Sequence, residues 1–221
     1  MKRRHLLHLL AGVPATALMA ACGKRKAATA ALKPDARVLA LGDSLTFGHG
    51  AAPDDAWPVK LAQLTGWQIT NEGVNGDTSA GALARLDALL SGHGFDAILV
   101  GIGGNDMLRG MSTTATRDNL AAIVRQARAH TPYVALIATP APDALRATIG
   151  ALGDAPFYEE VAKAEQVLLI PDVYASVLSD ATLRSDRIHA NGRATRRSRS
   201  SSQSGSRPRA GADQAAGSRS T

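Results

Sequence analysis

Four short clusters in this chain gather the residue types that acyl transfer needs. Ser44 offers a hydroxyl in Gly42-Asp43-Ser44-Leu45. Asn71-Glu72-Gly73-Val74-Asn75-Gly76-Asp77-Thr78 offers a glycine-rich turn, and Gly103-Gly104-Asn105-Asp106 offers a side-chain amide. Asp186 and His189, three residues apart in Ser185-Asp186-Arg187-Ile188-His189, offer a carboxylate and an imidazole. A serine acyl transfer uses a hydroxyl nucleophile, an imidazole to take its proton, a carboxylate to set the imidazole tautomer, and N–H donors for the oxyanion. Each cluster alone reads equally well as a turn or a strand end. Their conjunction and order carry the signal.

Widely separated clusters can meet only if the fold brings them to one edge, and the hydrophobic pattern supplies such a fold. Apolar runs at Val38–Leu41, Ala97–Ile102, Tyr133–Ile137 and Val167–Ile170 read as strands, with a more polar one at Gln68–Asn71. Between them, helical spacing predicts helices over Trp57–Leu64 (closed by Gly66), Ser79–Leu90, Thr116–His130 (stopped by Pro132) and Pro156–Gln166. Regular alternation of this kind predicts a parallel sheet covered on both faces. In open parallel sheets ligands bind beyond the carboxyl ends of the strands, where the clusters fall. Ser44 and His189 can therefore meet across the intervening chain.

Those blocks resemble the GDSL/SGNH hydrolase superfamily in order and spacing over residues 36–191. Asn75-Gly76-Asp77-Thr78-Ser79 and Gly103-Gly104-Asn105-Asp106-Met107-Leu108-Arg109-Gly110 are similar to its arylesterase and thioesterase/lysophospholipase branch. The resemblance implies a three-layer, flavodoxin-like α/β fold with strand order 2-1-3-4-5. It also implies a carboxylic-ester hydrolase working through an acyl-enzyme without cofactor or metal. Ser44 would be the nucleophile, His189 the base and Asp186 its orienting carboxylate. Backbone N–H groups of Ser44 and Gly76 and the Asn105 side chain would hold the oxyanion, Gly76 being glycine so that no Cβ obstructs approach to the reacting carbon. The Gly-x-Ser-x-Gly elbow of α/β-hydrolases is absent. Asp43 and Asp106 are expected to hold loops, and His49, His93 and His130 to be surface or helix-end residues with no metal-ligand spacing.

Charge separates the body from its ends. The chain has 221 residues and a formal charge of +6. Residues 1–26 hold six Lys/Arg and no acid, residues 192–221 hold seven Arg and one Asp, and residues 27–191 hold 12 Lys/Arg against 18 Asp/Glu. A nucleic-acid reader carries its basic stripe on the folded module, and aromatic residues are only 4%, so nucleic acid is not expected as a partner.

Met1-Lys2-Arg3-Arg4 followed by apolar Leu6–Ala21 reads as a secretion signal. Leu18-Met19-Ala20-Ala21-Cys22-Gly23 resembles a bacterial lipobox, which implies lipidation at Cys22 and a membrane-anchored periplasmic protein. The alternative is an ordinary signal with an incidental thiol. The expected organisation is a signal over 1–22, a linker over 23–34, a hydrolase domain over 35–191 and a disordered basic tail over 192–221.

From Ala190 onward no Val, Ile, Leu, Met, Phe, Trp or Tyr occurs, so the family's last helix is expected to be missing. A reading-frame shift near codon 192 would account for it. A catalytically impaired chain is the competing functional reading, because that helix would brace the loop carrying His189.

Overall fold

The computed structural model describes residues 32–143 and 150–194. The expected signal with Cys22, most of the expected linker and the residues beyond 194 lie outside the described residues, as do the expectations that fall on them. Five strands, β1 (Arg37–Gly42), β2 (Gln68–Gly73), β3 (Ala97–Gly101), β4 (Val134–Ile137) and β5 (Leu168–Ile170), form one sheet in the order β2-β1-β3-β4-β5. Every neighbouring pair is parallel. Burial explains the order. β1, β3 and β4 are almost wholly apolar and buried, while polar β2 and short β5 take the edges.

Period-two alternation sends successive side chains to opposite faces. Leu39, Leu41, Ile98, Val100 and Leu136 join one core with Leu86, Leu120, Ile123, Val124 and Tyr158. These come from α3 (Ser79–Leu90), α5 (Thr113–His130) and α6 (Phe157–Glu165). The opposite face meets α1 (Ser44–Phe47), α2 (Trp57–Thr65) and α7 (Val173–Ser179), with Ile137, Tyr174 and Leu178 at its centre. Each fully buried Leu or Ile contributes about 1.5–3 kcal/mol, so the face covered by α3, α5 and α6 dominates the apolar stabilisation. A further helix, α4 (Gly104–Leu108), follows β3. Among the described residues no helix is long and apolar enough to cross a membrane.

Local signals account for most boundaries. The helix expected from Thr116 starts at Thr113, because Ser112 accepts from the Ala115 N–H and caps it. Gly66, in the left-handed region, ends α2. The folded part runs beyond residue 191: residues 192–194 are helical and Ala194 is buried. Ala194 lines an apolar cleft of about 300 Å³ between α2 and α7, together with Leu61, Ile137, Tyr174 and Val177.

Candidate active site

The carboxyl end of the sheet builds the site. Gly42 lies level with Gly73 on one side and Gly101 on the other, and α1 crosses directly over this row. A Cβ on Gly42 would stand 2.1 Å from Thr46 Oγ1 and 2.6 Å from the Gly101 carbonyl oxygen. The close crossing therefore requires glycine, and it sets Ser44 as the first residue of α1. Asp43 caps that helix, its carboxylate accepting from the Leu45 N–H at 3.0 Å. The Asp43 carboxyl is 2% exposed. Burial pushes its pKa up from 3.8 to about 6, against the pull of the Leu45 N–H and the nearby imidazole of His189.

The imidazole arrives from a turn closed on itself. The Ser185 N–H donates to the His189 carbonyl at 2.9 Å, and Arg184 bridges Ala190. Asn191 clamps the base of the turn through Nδ2, which donates to the Thr182 and Arg184 carbonyls, each at 3.0 Å. These hydrogen bonds, local to the turn, brace the segment that carries His189.

Asp186 Oδ1 accepts from the N–H groups of Ile188 and His189, both at 2.8 Å, while Oδ2 lies 2.7 Å from His189 Nδ1. Burial alone would raise the Asp186 pKa. The Ile188 N–H, the imidazole and the His189 N–H outweigh it and hold the carboxyl below its ordinary value. On the other side of the ring, His189 Nε2 lies 3.0 Å from Ser44 Oγ across 145 residues of chain.

Asn105 sits in the first turn of α4. Its Nδ2 donates to the Asp77 carbonyl at 2.9 Å, which orients the amide and leaves its second hydrogen for another acceptor. Ser44, Asn105 and Asp186 all line one cleft of about 630 Å³, whose apolar wall includes Leu45, Leu108, Leu152, Leu178 and Ile188.

Gly76 stands outside that lining, its carbonyl accepting from Arg109 Nη2 at 2.6 Å. Among the described residues a Cβ there would approach only Arg109 Nη2, at 3.4 Å, and the φ of 75° independently favours glycine. Met107 and Leu108 belong to α4, with Met107 packed on the core and Leu108 lining the cleft.

Asp106 is 1% exposed and ties the loops together, accepting from the Ser79 N–H at 2.8 Å, from Ser79 Oγ and from Thr116 Oγ1. Sequence reasoning missed Arg85. Its Nη2 donates to the carbonyls of Gly42 at 3.1 Å and Glu72 at 2.9 Å, and its Nε pairs with Asp77 Oδ2 at 3.0 Å. One guanidinium thus pins the ends of β1 and β2 and the turn containing Gly76. An arginine three residues after inward-facing Ala82 was the available clue.

His49 is exposed just after α1, as expected, but it is not isolated. Its ring lies 4.4 Å from that of His189, centroid to centroid, and ligand atoms of His49, Asp186 and His189 lie within 4.8 Å of one another. Linear spacing could not show this cluster, because tertiary contact assembles it. His130, by contrast, ends α5 as expected and accepts from the Phe95 N–H at 3.2 Å.

The model of the GDSL-like lipase/acylhydrolase family matches residues 40–197. The chain is 34% identical to esterase TesA of Pseudomonas aeruginosa over 110 residues, which are 48% of this chain and 55% of that protein. It is 35% identical to thioesterase 1/protease 1/lysophospholipase L1 of Escherichia coli K12 over 162 residues, 70% of this chain and 75% of that one. The chain thus spans little more than half of the first relative's length and three quarters of the second's. A crystal structure of TesA is similar with a TM-score of 0.64 and 28% identity, covering 73% of this chain and 92% of the other.

Proposed function

The chain belongs to the GDSL-like lipase/acylhydrolase family, a family of carboxylic-ester hydrolases, and we propose that it cleaves esters through an acyl-enzyme on Ser44. The observation that carries this reading is the run of contacts from Asp186 Oδ2 through His189 Nδ1 and Nε2 to Ser44 Oγ, at 2.7 and 3.0 Å. Asp186 holds the tautomer with hydrogen on Nδ1, so the Nε2 lone pair faces the serine hydroxyl. Ser44 Oγ attacks the ester carbonyl carbon while His189 Nε2 takes its proton. The resulting oxyanion is met by the free Asn105 amide hydrogen and backbone N–H groups, including those of Ser44 and Gly76. His189 returns the proton to the departing alcohol. Water then repeats the sequence on the acyl-serine.

The apolar cleft wall beside Ser44 suits an acyl or aryl group. One relative is named a thioesterase and lysophospholipase, so thioesters and lysophospholipids fall within the proposed substrate range beside simple aryl and acyl esters. The impaired reading turns on a displaced His189. The Asn191 clamp on the turn carrying His189 and its contact with Ser44 favour the active reading.

A fluorophosphonate probe, with mass spectrometry to locate the adduct, tests the nucleophile. Rates on p-nitrophenyl acetate, p-nitrophenyl palmitate and a lysophospholipid sort the acyl preference. Equal inertness of the wild type and Ser44→Ala on all three would remove the proposal. For the N-terminus, the proposal extends to a periplasmic lipoprotein acylated at Cys22, on the strength of the lipobox-like stretch. Labelled palmitate should enter the wild type in a bacterial host, and equal labelling of Cys22→Ala would refute the anchor.

A further inference from the structure

Three metal-ligating side chains lie together, Asp186 on the cleft beside Ser44 and His49 on the cleft between α2 and α7, although His49 is more than 130 residues from Asp186 and His189. His49 comes from the turn after α1, Asp186 and His189 from the turn clamped by Asn191. Each offers one ligand atom, and all three atoms lie within 4.8 Å of one another. The two rings are tilted by 53° at a centroid distance of 4.4 Å. Ring packing brings His49 to His189, and the hydrogen bond at Nδ1 adds the Asp186 oxygen, so two imidazoles and a carboxylate gather in one place.

Zinc takes imidazole nitrogen and carboxylate oxygen at roughly 2.0–2.2 Å, so tetrahedral ligand atoms stand roughly 3.3–3.6 Å apart. The three ligand atoms lie within 4.8 Å of one another, with Asp186 Oδ2 and His189 Nδ1 2.7 Å apart, so chelation requires side-chain movement. His49 and Asp186 are exposed and His189 is half-buried, so an ion reaches them without opening the core. Two imidazoles and one carboxylate favour zinc or its neighbours over magnesium or calcium, which prefer oxygen ligands.

We propose that His49, Asp186 and His189 form an inhibitory binding site for a divalent transition-metal cation, with Zn²⁺ as its first test. The consequence for activity rests on the hydrolase reading above, whereas the site itself rests on the clustered ligands. Catalysis needs His189 with hydrogen on Nδ1, facing Asp186, and a free lone pair on Nε2, facing Ser44. A cation on Nδ1 displaces the hydrogen bond to Asp186. A cation on Nε2 occupies the lone pair that accepts the serine proton. Either way the base is lost until the metal leaves. His49 supplies the third ligand and turns an ordinary dyad into a chelate.

The experiment uses the chelator-treated, tag-free chain, titrated with zinc chloride by calorimetry and assayed in parallel for p-nitrophenyl ester hydrolysis. His49→Phe keeps an aromatic ring against His189 but removes the ligand. The expected result is one zinc per chain and inhibition reversed by chelator, with binding and inhibition weakened about tenfold or more in His49→Phe, each enzyme compared with its own metal-free rate. Ser44→Ala should bind zinc as the wild type does, and magnesium should give no heat. Undiminished zinc binding by His49→Phe overturns the site, as does no binding by the wild type at millimolar zinc. His49-dependent zinc binding in a chain that hydrolyses no ester upholds the metal site and sinks the hydrolase reading, so the two fail separately.

Discussion

The carboxylate of Asp106 accepts both the N–H and the hydroxyl of Ser79, so the first turn of α3 and the first turns of α4 are held as one unit. Through it the loop after β2 and the loop after β3 share a position, and Asn105 next door inherits that rigidity. Asp106→Ala would leave the Ser79 N–H and hydroxyl and the Thr116 hydroxyl without this partner in the interior. Each unsatisfied buried group costs about 1–3 kcal/mol. A loss of about 3 kcal/mol is expected in urea unfolding, together with a lower kcat. An unchanged unfolding midpoint would contradict this account.

Asn105→Ala should act on the transition state. Removing one oxyanion donor costs about 2.7–4 kcal/mol, which is about a hundredfold to a thousandfold in kcat with little change in KM. Steady-state kinetics on one soluble ester decide it. A change confined to KM would assign Asn105 to substrate binding instead.

Asp186→Asn should lower kcat by less than the ~10⁴ typical of a buried triad aspartate. The Asp186 side chain is 49% exposed, so water can partly replace its contact with the imidazole. Ser44→Ala should abolish turnover while leaving the unfolding midpoint nearly unchanged.

Asp43 makes a pH-dependent claim on stability. Its carboxyl is raised by burial from 3.8 to about 6, so between those values the folded chain holds this proton more tightly than the unfolded chain does. The stability contribution is full below about pH 4, is lost as pH rises through 6, and is absent above. The whole difference is about 3 kcal/mol. Asp43→Asn keeps an acceptor for the Leu45 N–H and removes the titration. Relative to this variant, the wild type should weaken from pH 4 to pH 7 in urea unfolding. Parallel stability curves for the two proteins would refute the assignment.

Arg85→Met strips the hydrogen bonds from the Gly42 and Glu72 carbonyls and the pairing with Asp77. Destabilisation of about 2–4 kcal/mol is expected, with a further loss of kcat as the turn around Gly76 loosens. Arg85→Lys can keep the charge but not the several-pronged contact, and should fall between the two.

Much of the architecture was legible in one dimension, because hydrophobic period and strand length are local properties. The α3 boundaries follow from Thr78 as cap and the leucine spacing, and β1 and β3 from unbroken apolar runs. The short helices α1, α4 and α7 were not legible. At seven residues or fewer they have too few turns for periodicity to register, and packing over the sheet ends makes them helical.

For the site, residue types and order, with the family resemblance they carry, pointed to Ser44, Asn105, Asp186 and His189. Distances were another matter. That Asn191 clamps the His189 turn, that Arg85 bolts two strand ends together, and that His49 rests on His189 are visible only in three dimensions. Amphipathic pattern specifies which face of an element turns inward. Only the packed sheet decides which side chains from separate elements then come within a few ångströms, because that choice is made by the whole core at once.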